Sequence, residues 1–312
     1  DEAFKVTESK SGMIQHTHHG IIPPLVTPLA DRDSLDVAGF QRLINHVLGG
    51  GVHGIFVLGT TGEGPSLSHH LQRDVVSQAC QIVGGRVPVM VGITDPSFFE
   101  SISLATHAAE AGATAVVLAP PYYFPAGQEE LLEYLEELIP ALPLPVMLYN
   151  MPSMTKLSYS PDIVSDLARW PQVVGLKDSS GDIDYFCRVR ELTADVDEFA
   201  MLVGPEHLLC EAIKLGADGG VSGGANVRPE LYVQLYEATV SGGHTKALTD
   251  QVTSLGRLYG VGNNPASAIV KGLKCALSLM GICNARMAEP FREFGASDVA
   301  KIKKLLDEIL PR

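Results

Sequence analysis

Lys177 is the residue of this chain best placed to do covalent chemistry. It ends the segment Val173-Val174-Gly175-Leu176-Lys177, a short β-branched run that reads as a strand. Side chains alternate along a strand, so Val173, Gly175 and Lys177 are expected on one face, with Val174 and Leu176 on the other. An amine turned inward above a glycine loses solvation. That disfavours the ammonium form and lowers its pKa. A neutral amine is the form that attacks a ketone carbon. A lone lysine at a strand end more often reaches solvent or pairs with a neighbour such as Asp178, because lysine is seldom fully buried. The inference therefore needs partners.

Two partners stand at the ends of other apolar runs. Tyr149 shares a strand face with Met147 and can point the same way as Lys177. A phenol beside a lysine can shuttle protons to and from a carbinolamine. Alone, Tyr149 would read as a core tyrosine with a satisfied hydroxyl. The second partner is Gly59-Thr60-Thr61-Gly62-Glu63-Gly64. Its hydroxyls and backbone N–H groups could hold a carboxylate, and its glycines allow close approach. Alone, it would read as a plain turn.

Eight repeats of strand and helix are expected to bring these ends together. The strands are Ile21–Val26, Ile55–Leu58, Val87–Val91, Ala115–Leu118, Val146–Tyr149, Val173–Leu176, Ala200–Val203 and Gly219–Ser222. Helices follow at Val37–Leu48, Leu71–Val83, from about Ser97, at Gln128–Leu138, from Ser160-Pro161, and at Ile183–Leu192, Glu206–Leu215 and Pro229–Thr239. Eight parallel units close a (β/α)₈ TIM barrel, an α/β fold in which reactive groups sit at the C-terminal strand ends. Residues 1–19 read as a flexible arm, 20–241 as the barrel, and 242–312 as a helical extension of the same domain, in three segments and helical throughout.

The bulk composition narrows the function classes. The chain has 312 residues, 46% hydrophobic and 19% charged, with a formal net charge of −13. An acidic chain repels phosphate backbones and anionic lipid, so neither nucleic acid nor membrane is an expected partner. Five cysteines without a Cys-x-x-Cys pair point to a reduced, cytoplasmic protein. No apolar run is long enough for a membrane helix. No metal or cofactor is expected. Gly49-Gly50-Gly51-Val52-His53-Gly54 follows a helix and precedes a strand, the reverse of a dinucleotide fingerprint. His16, His18 and His19 belong to the arm, and Glu63 is expected to order its loop rather than act as an acid.

In combination, Gly59-Thr60-Thr61-Gly62-Glu63, Pro121-Tyr122-Tyr123, Tyr149-Asn150-Met151-Pro152 and Gly175-Leu176-Lys177-Asp178-Ser179-Ser180-Gly181 resemble the dihydrodipicolinate synthase and N-acetylneuraminate lyase family. The resemblance runs from about Gly20 to the C-terminus. It implies a class I aldolase-type lyase in which Lys177 forms an imine with pyruvate or another 2-oxo acid. It also implies that Tyr149 is the adjacent acid/base group. Thr60 would link Tyr149 to Tyr123, which reaches in from a neighbouring subunit of a homotetramer built as a dimer of dimers. Gly59, Thr60 and Thr61 would hold the substrate carboxylate, and the backbone of Gly204 and Val221 would lie near the imine.

One position departs from the synthase pattern Tyr-Asn-x-Pro-x-Arg-Thr. This chain has Met154 where the arginine belongs. A thioether cannot replace a bidentate guanidinium–carboxylate contact. The expected substrates are therefore 2-keto-3-deoxy or 4-hydroxy-2-oxo acids. The alternatives are a true 4-hydroxy-tetrahydrodipicolinate synthase, a sugar-phosphate aldolase using the loop Ser222–Asn226, or a 2-oxo-acid sensor without turnover.

Overall fold

Pro23 and Pro24 have no amide hydrogen to give to a ladder, and they shorten the first strand. The computed structural model describes residues 7–8, 14–15, 18–262 and 265–310. Its first barrel strand, β1, is Gly20–Ile21 rather than the expected Ile21–Val26. The segment after it still pairs. Leu25 N donates to Phe56 O at 2.8 Å and Phe56 N to Pro23 O at 3.0 Å. These bonds use the proline carbonyl and bypass the missing donors.

The remaining strands are β2 Ile55–Val57, β3 Val89–Gly92, β4 Ala115–Leu118, β5 Val146–Asn150, β6 Val173–Asp178, β7 Ala200–Val203 and β8 Gly219–Gly220. They form an eight-stranded sheet in the order β1-β8-β7-β6-β5-β4-β3-β2. All pairs are parallel, and a parallel bridge between Pro24 and Phe56 joins the two ends. This is the (β/α)₈ barrel.

The helices packed around the sheet are α1 Val37–Gly49, α2 His69–Val83, α3 Phe98–Ala111, α4 Gln128–Ala141, α5 Pro161–Ala168, α6 Ile183–Leu192, α7 Leu209–Lys214 and α8 Pro229–Val240, and a single turn at Pro152–Thr155 precedes α5. Side chains of Asp36, Ser68, Ser97, Ser160 and Asp182 accept the first free N–H groups of their helices. The seventh helix is shorter than expected, because Glu206–Leu208 winds as a 3₁₀ turn first. Three helices follow: α9 Lys246–Gly256, α10 Pro265–Leu279 and α11 Ala296–Ile309. The stretch from 280 to 295 is not helical, so the extension is less regular than its composition suggests. No helix among the described residues is long and apolar enough to cross a membrane.

Most of the expected arm, His16 included, lies outside the described residues. Thr7–Glu8 pairs antiparallel with Ile14–Gln15. His18 is buried, and the ring of His19 meets that of His53 at 5.4 Å.

Two apolar cores result. One lies between sheet and helices. The other fills the barrel with Ile22, Phe56, Met90, Val117, Met147 and Leu202. Strand β6 corrects the expected alternation. Its register with β5 shifts between Val173 and Gly175. Val173 therefore turns to the outer core and Val174 packs against the inner one. One extra residue resets the two-residue period. Beyond it Gly175 and Lys177 face inward and Leu176 outward, as expected.

Candidate active site

The ladder sets Tyr149 beside Lys177. Both side chains enter the barrel at its C-terminal end. Lys177 is 5% exposed. Its Nζ lies 3.7 Å from the centre of the Tyr149 ring and 4.9 Å from that of Phe56. Burial holds its pKa below the usual lysine value, while Tyr149 and Asp178 pull in the opposite direction. A Cβ at Gly175 would stand 2.3 Å from Ala200 O and 2.9 Å from the Met147 methyl, so glycine is the residue that fits beneath the lysine.

Asp178 makes no ion pair with Lys177. Its carboxylate accepts hydrogen bonds from Asn150 Nδ2 at 2.9 Å, Ser180 N at 3.2 Å and Ser180 Oγ at 2.9 Å. Burial raises its pKa against these donors.

The loop after β2 supplies the next group. Thr60 Oγ1 lies 3.2 Å from the Tyr149 hydroxyl. The loop turns back sharply, with left-handed backbone at Leu58 (φ 61°) and Glu63 (φ 56°). Such conformations in residues other than glycine cost energy and persist where their surroundings fix them. A Cβ at Gly59 would strike the Phe56 ring at 2.5 Å. Glu63 anchors the loop from below. It forms a buried ion pair with Lys274 of α10 and accepts from Ala288 N at 2.8 Å. Lys274 Nζ also donates to Arg286 O at 2.7 Å.

Lys177, Tyr149, Thr60, Thr61, Gly204 and Val221 line one cavity of about 400 Å³. Gly59 lines an adjoining cavity of about 290 Å³ that shares Thr60 and Tyr149. Gly204 N donates to Asp178 O at 2.7 Å, and a Cβ there would meet Ser179 Oγ at 2.0 Å. Tyr123 stands apart. It is 75% exposed, with its ring against Phe124.

The cavity also has walls that the sequence did not disclose. Val252, Thr253, Tyr259, Ile269 and Val270 come from the C-terminal helices and the turn between them. Glu206 accepts from Gly224 N at 2.6 Å, from Tyr259 OH at 2.8 Å, and from Tyr232 OH. The carboxylate thus occupies the N–H groups after β8 where other barrels bind phosphate. Arg228 is engaged by Glu230, Gln251 and the carbonyl of Ile309. A sugar-phosphate reading loses both its donors and its cation.

The dihydrodipicolinate synthetase family model matches residues 17–309. The chain belongs to that family. A 4-hydroxy-tetrahydrodipicolinate synthase from Methanoculleus marisnigri is 33% identical, over 92% of this chain and 98% of the relative. A DapA-like lyase from Halobacterium salinarum is 34% identical, over 93% and 94%. Among solved structures, dihydrodipicolinate synthase from Bacteroides thetaiotaomicron superposes with a TM-score of 0.90 at 50% identity, covering 93% of this chain and 98% of that one. YagE, a prophage protein of this family from E. coli K12 solved in complex with pyruvate, gives a TM-score of 0.88 at 28% identity, covering 93% and 98%. This protein is therefore an enzyme, a dihydrodipicolinate synthase-like lyase of the class I aldolase type.

Within this family member, Met154 is 42% exposed and lines both cavities. Lys156, two positions on, is exposed and turns its Nζ onto Ser153 O at 2.7 Å. It lines neither cavity, so it does not stand where the resemblance expects an arginine.

Proposed function

We propose that this lyase holds pyruvate or another 2-oxo acid as a Schiff base on Lys177 and makes or breaks a bond at C3, the carbon next to the imine carbon. The observation that carries the reading is the buried Lys177 amine on the Tyr149 ring, with the Tyr149 hydroxyl against Thr60. The neutral amine adds to the ketone carbon. The carbinolamine loses water, with Tyr149 handing on the proton. The resulting iminium accepts the electron pair of the bond cleaved beyond C3 and becomes an enamine. Gly59, Thr60 and Thr61 receive the substrate carboxylate, with the backbone of Gly204 and Val221 beside the imine. The imine supplies the electron sink, so the cycle needs no further cofactor.

Tyr123 extends the Thr60–Tyr149 pair from a second copy, in a homotetramer built as a dimer of dimers. Its exposed place beside Phe124 supports that role. The five free cysteines suit a reducing cytoplasm. The barrel and its C-terminal helices act as one unit, since both wall the cavity.

Borohydride trapping tests the imine. Incubation with pyruvate and borohydride should add one reduced pyruvyl group, and peptide mapping should place it on Lys177. A modification at Lys271 or Lys274, or none with any 2-oxo acid, overturns the reading.

Condensation of pyruvate with aspartate semialdehyde should be poor. That substrate carries a second carboxylate, and Met154 offers it no charge. A hydrogen bond to a charged group contributes about 1.5–3 kcal/mol, and each 1.4 kcal/mol is about tenfold in rate. Steady-state kinetics should show Met154→Arg gaining about ten- to a hundredfold in this condensation. Efficient condensation by the natural protein would sink the argument.

A further inference from the structure

The lining of the cavity above Lys177 mixes apolar and neutral polar side chains, and it offers a distal carboxylate no lysine or arginine. Met154, Val252, Ile269 and Val270 are its apolar members. Ser179, His207 and Thr253 are among its polar members. Lys177 is the one Lys or Arg that lines either cavity among the described residues, and imine formation uses it. Glu206 also lines it, with its oxygens taken by Gly224 N–H, Tyr259 and Tyr232.

We infer that the part of the substrate beyond the imine is uncharged: the enzyme takes 2-oxo acids that carry a single carboxylate and a neutral tail, and discriminates against 2-oxo diacids. The inference rests on the imine reading above and narrows it. The first carboxylate has the Thr60–Thr61 loop. A second one, reaching outward along the tail, would leave water to face thioether, aliphatic groups and the Glu206 carboxylate. Burying an unpaired charge is costly. The protein as a whole, at net charge −13, adds a field that opposes a dianion. Ser, Thr and His side chains in the lining suit neutral tails, including hydroxylated ones, because they give and accept hydrogen bonds without demanding charge.

Competitive trapping reads this directly and does not depend on turnover. The natural protein is incubated with equal concentrations of 2-oxoglutarate and 5-methyl-2-oxohexanoate, in which two methyl groups replace the two distal carboxylate oxygens. Borohydride is added, and the two adduct masses on Lys177 are compared. The ratio is normalised to that obtained with a free alkylamine. The neutral adduct should exceed the diacid adduct by about ten- to a hundredfold, the range that one hydrogen bond to a charged group spans. An equal or larger diacid adduct overturns the inference and leaves the imine reading standing. Failure of both acids while pyruvate still forms its adduct also overturns it, because the cavity then takes no extended tail. If pyruvate itself gives no adduct on Lys177, the imine reading falls and takes this inference with it.

Discussion

Lys177→Met should lower turnover by roughly 10⁴- to 10⁶-fold, the scale on which loss of a covalent nucleophile acts. Methionine keeps a flexible chain over the Tyr149 ring and removes the amine. It also removes a group that resents burial, so the variant should melt no lower than the natural protein. The pH dependence gives a second readout. The folded-state pKa of Lys177 is depressed by burial. Between that value and the ordinary lysine value the unfolded chain binds the extra proton. Stability of the natural protein therefore gains from this group as pH rises through that window, and loses it as pH falls. The methionine variant should lack that part of the slope. Activity of the natural enzyme should rise with pH as the amine is freed. Thermal melts and kinetics across alkaline pH check both. Substantial residual turnover in a well-folded Lys177→Met would show that the amine is not the nucleophile.

Tyr149→Phe should slow turnover by about 10²–10⁴-fold, the range assigned to a positioned acid/base group. The ring that supports the lysine stays, and the hydroxyl 3.2 Å from Thr60 goes. The adduct with pyruvate should still map to Lys177 but form more slowly. Thr60→Val removes the other half of the contact at nearly constant shape. If the two hydroxyls act as one relay, the double variant should lose little more than Tyr149→Phe alone, because groups in direct contact are not additive. Full additivity would show that they act separately. A Tyr149→Phe enzyme with natural rates would reduce the phenol to a packing role.

The parts of the site on strand ends were legible because strands carry a two-residue code. Lys177, Tyr149 and Met147 obey it, and their inward direction follows from position alone. Val173 and Val174 break it, because a bulge between bonded strands leaves no mark in a run of β-branched residues. The first strand is shorter than its hydrophobic pattern, since Pro23 and Pro24 satisfy the apolar rule while failing the hydrogen-bond rule. The upper walls were harder to read. Val252, Ile269 and Val270 sit on amphipathic helices, where apolar residues announce burial but not what they are buried against. Glu206 gave a weak signal: an acidic residue shortly after a strand end. Its phenol partners Tyr232 and Tyr259 lie on distant elements that only the fold brings near.

The ion pair beneath the threonine loop has a consequence in time. Glu63 and Ala288, one of its two anchors, are 225 positions apart in the chain. During synthesis the early strands and the Thr60–Thr61 loop leave the ribosome long before α10 and the segment after it. Until those arrive, the Glu63 carboxylate lacks its Lys274 and Ala288 partners, and the loop keeps only its near contacts, such as Thr27 Oγ1 to Gly62 O. Closing so long a loop carries an entropic cost that grows with separation, and non-local contacts of this kind form late. A nascent chain can therefore own every reactive residue and still be inert. Completion of the loop's anchor waits for the segment from Pro265 onward to dock.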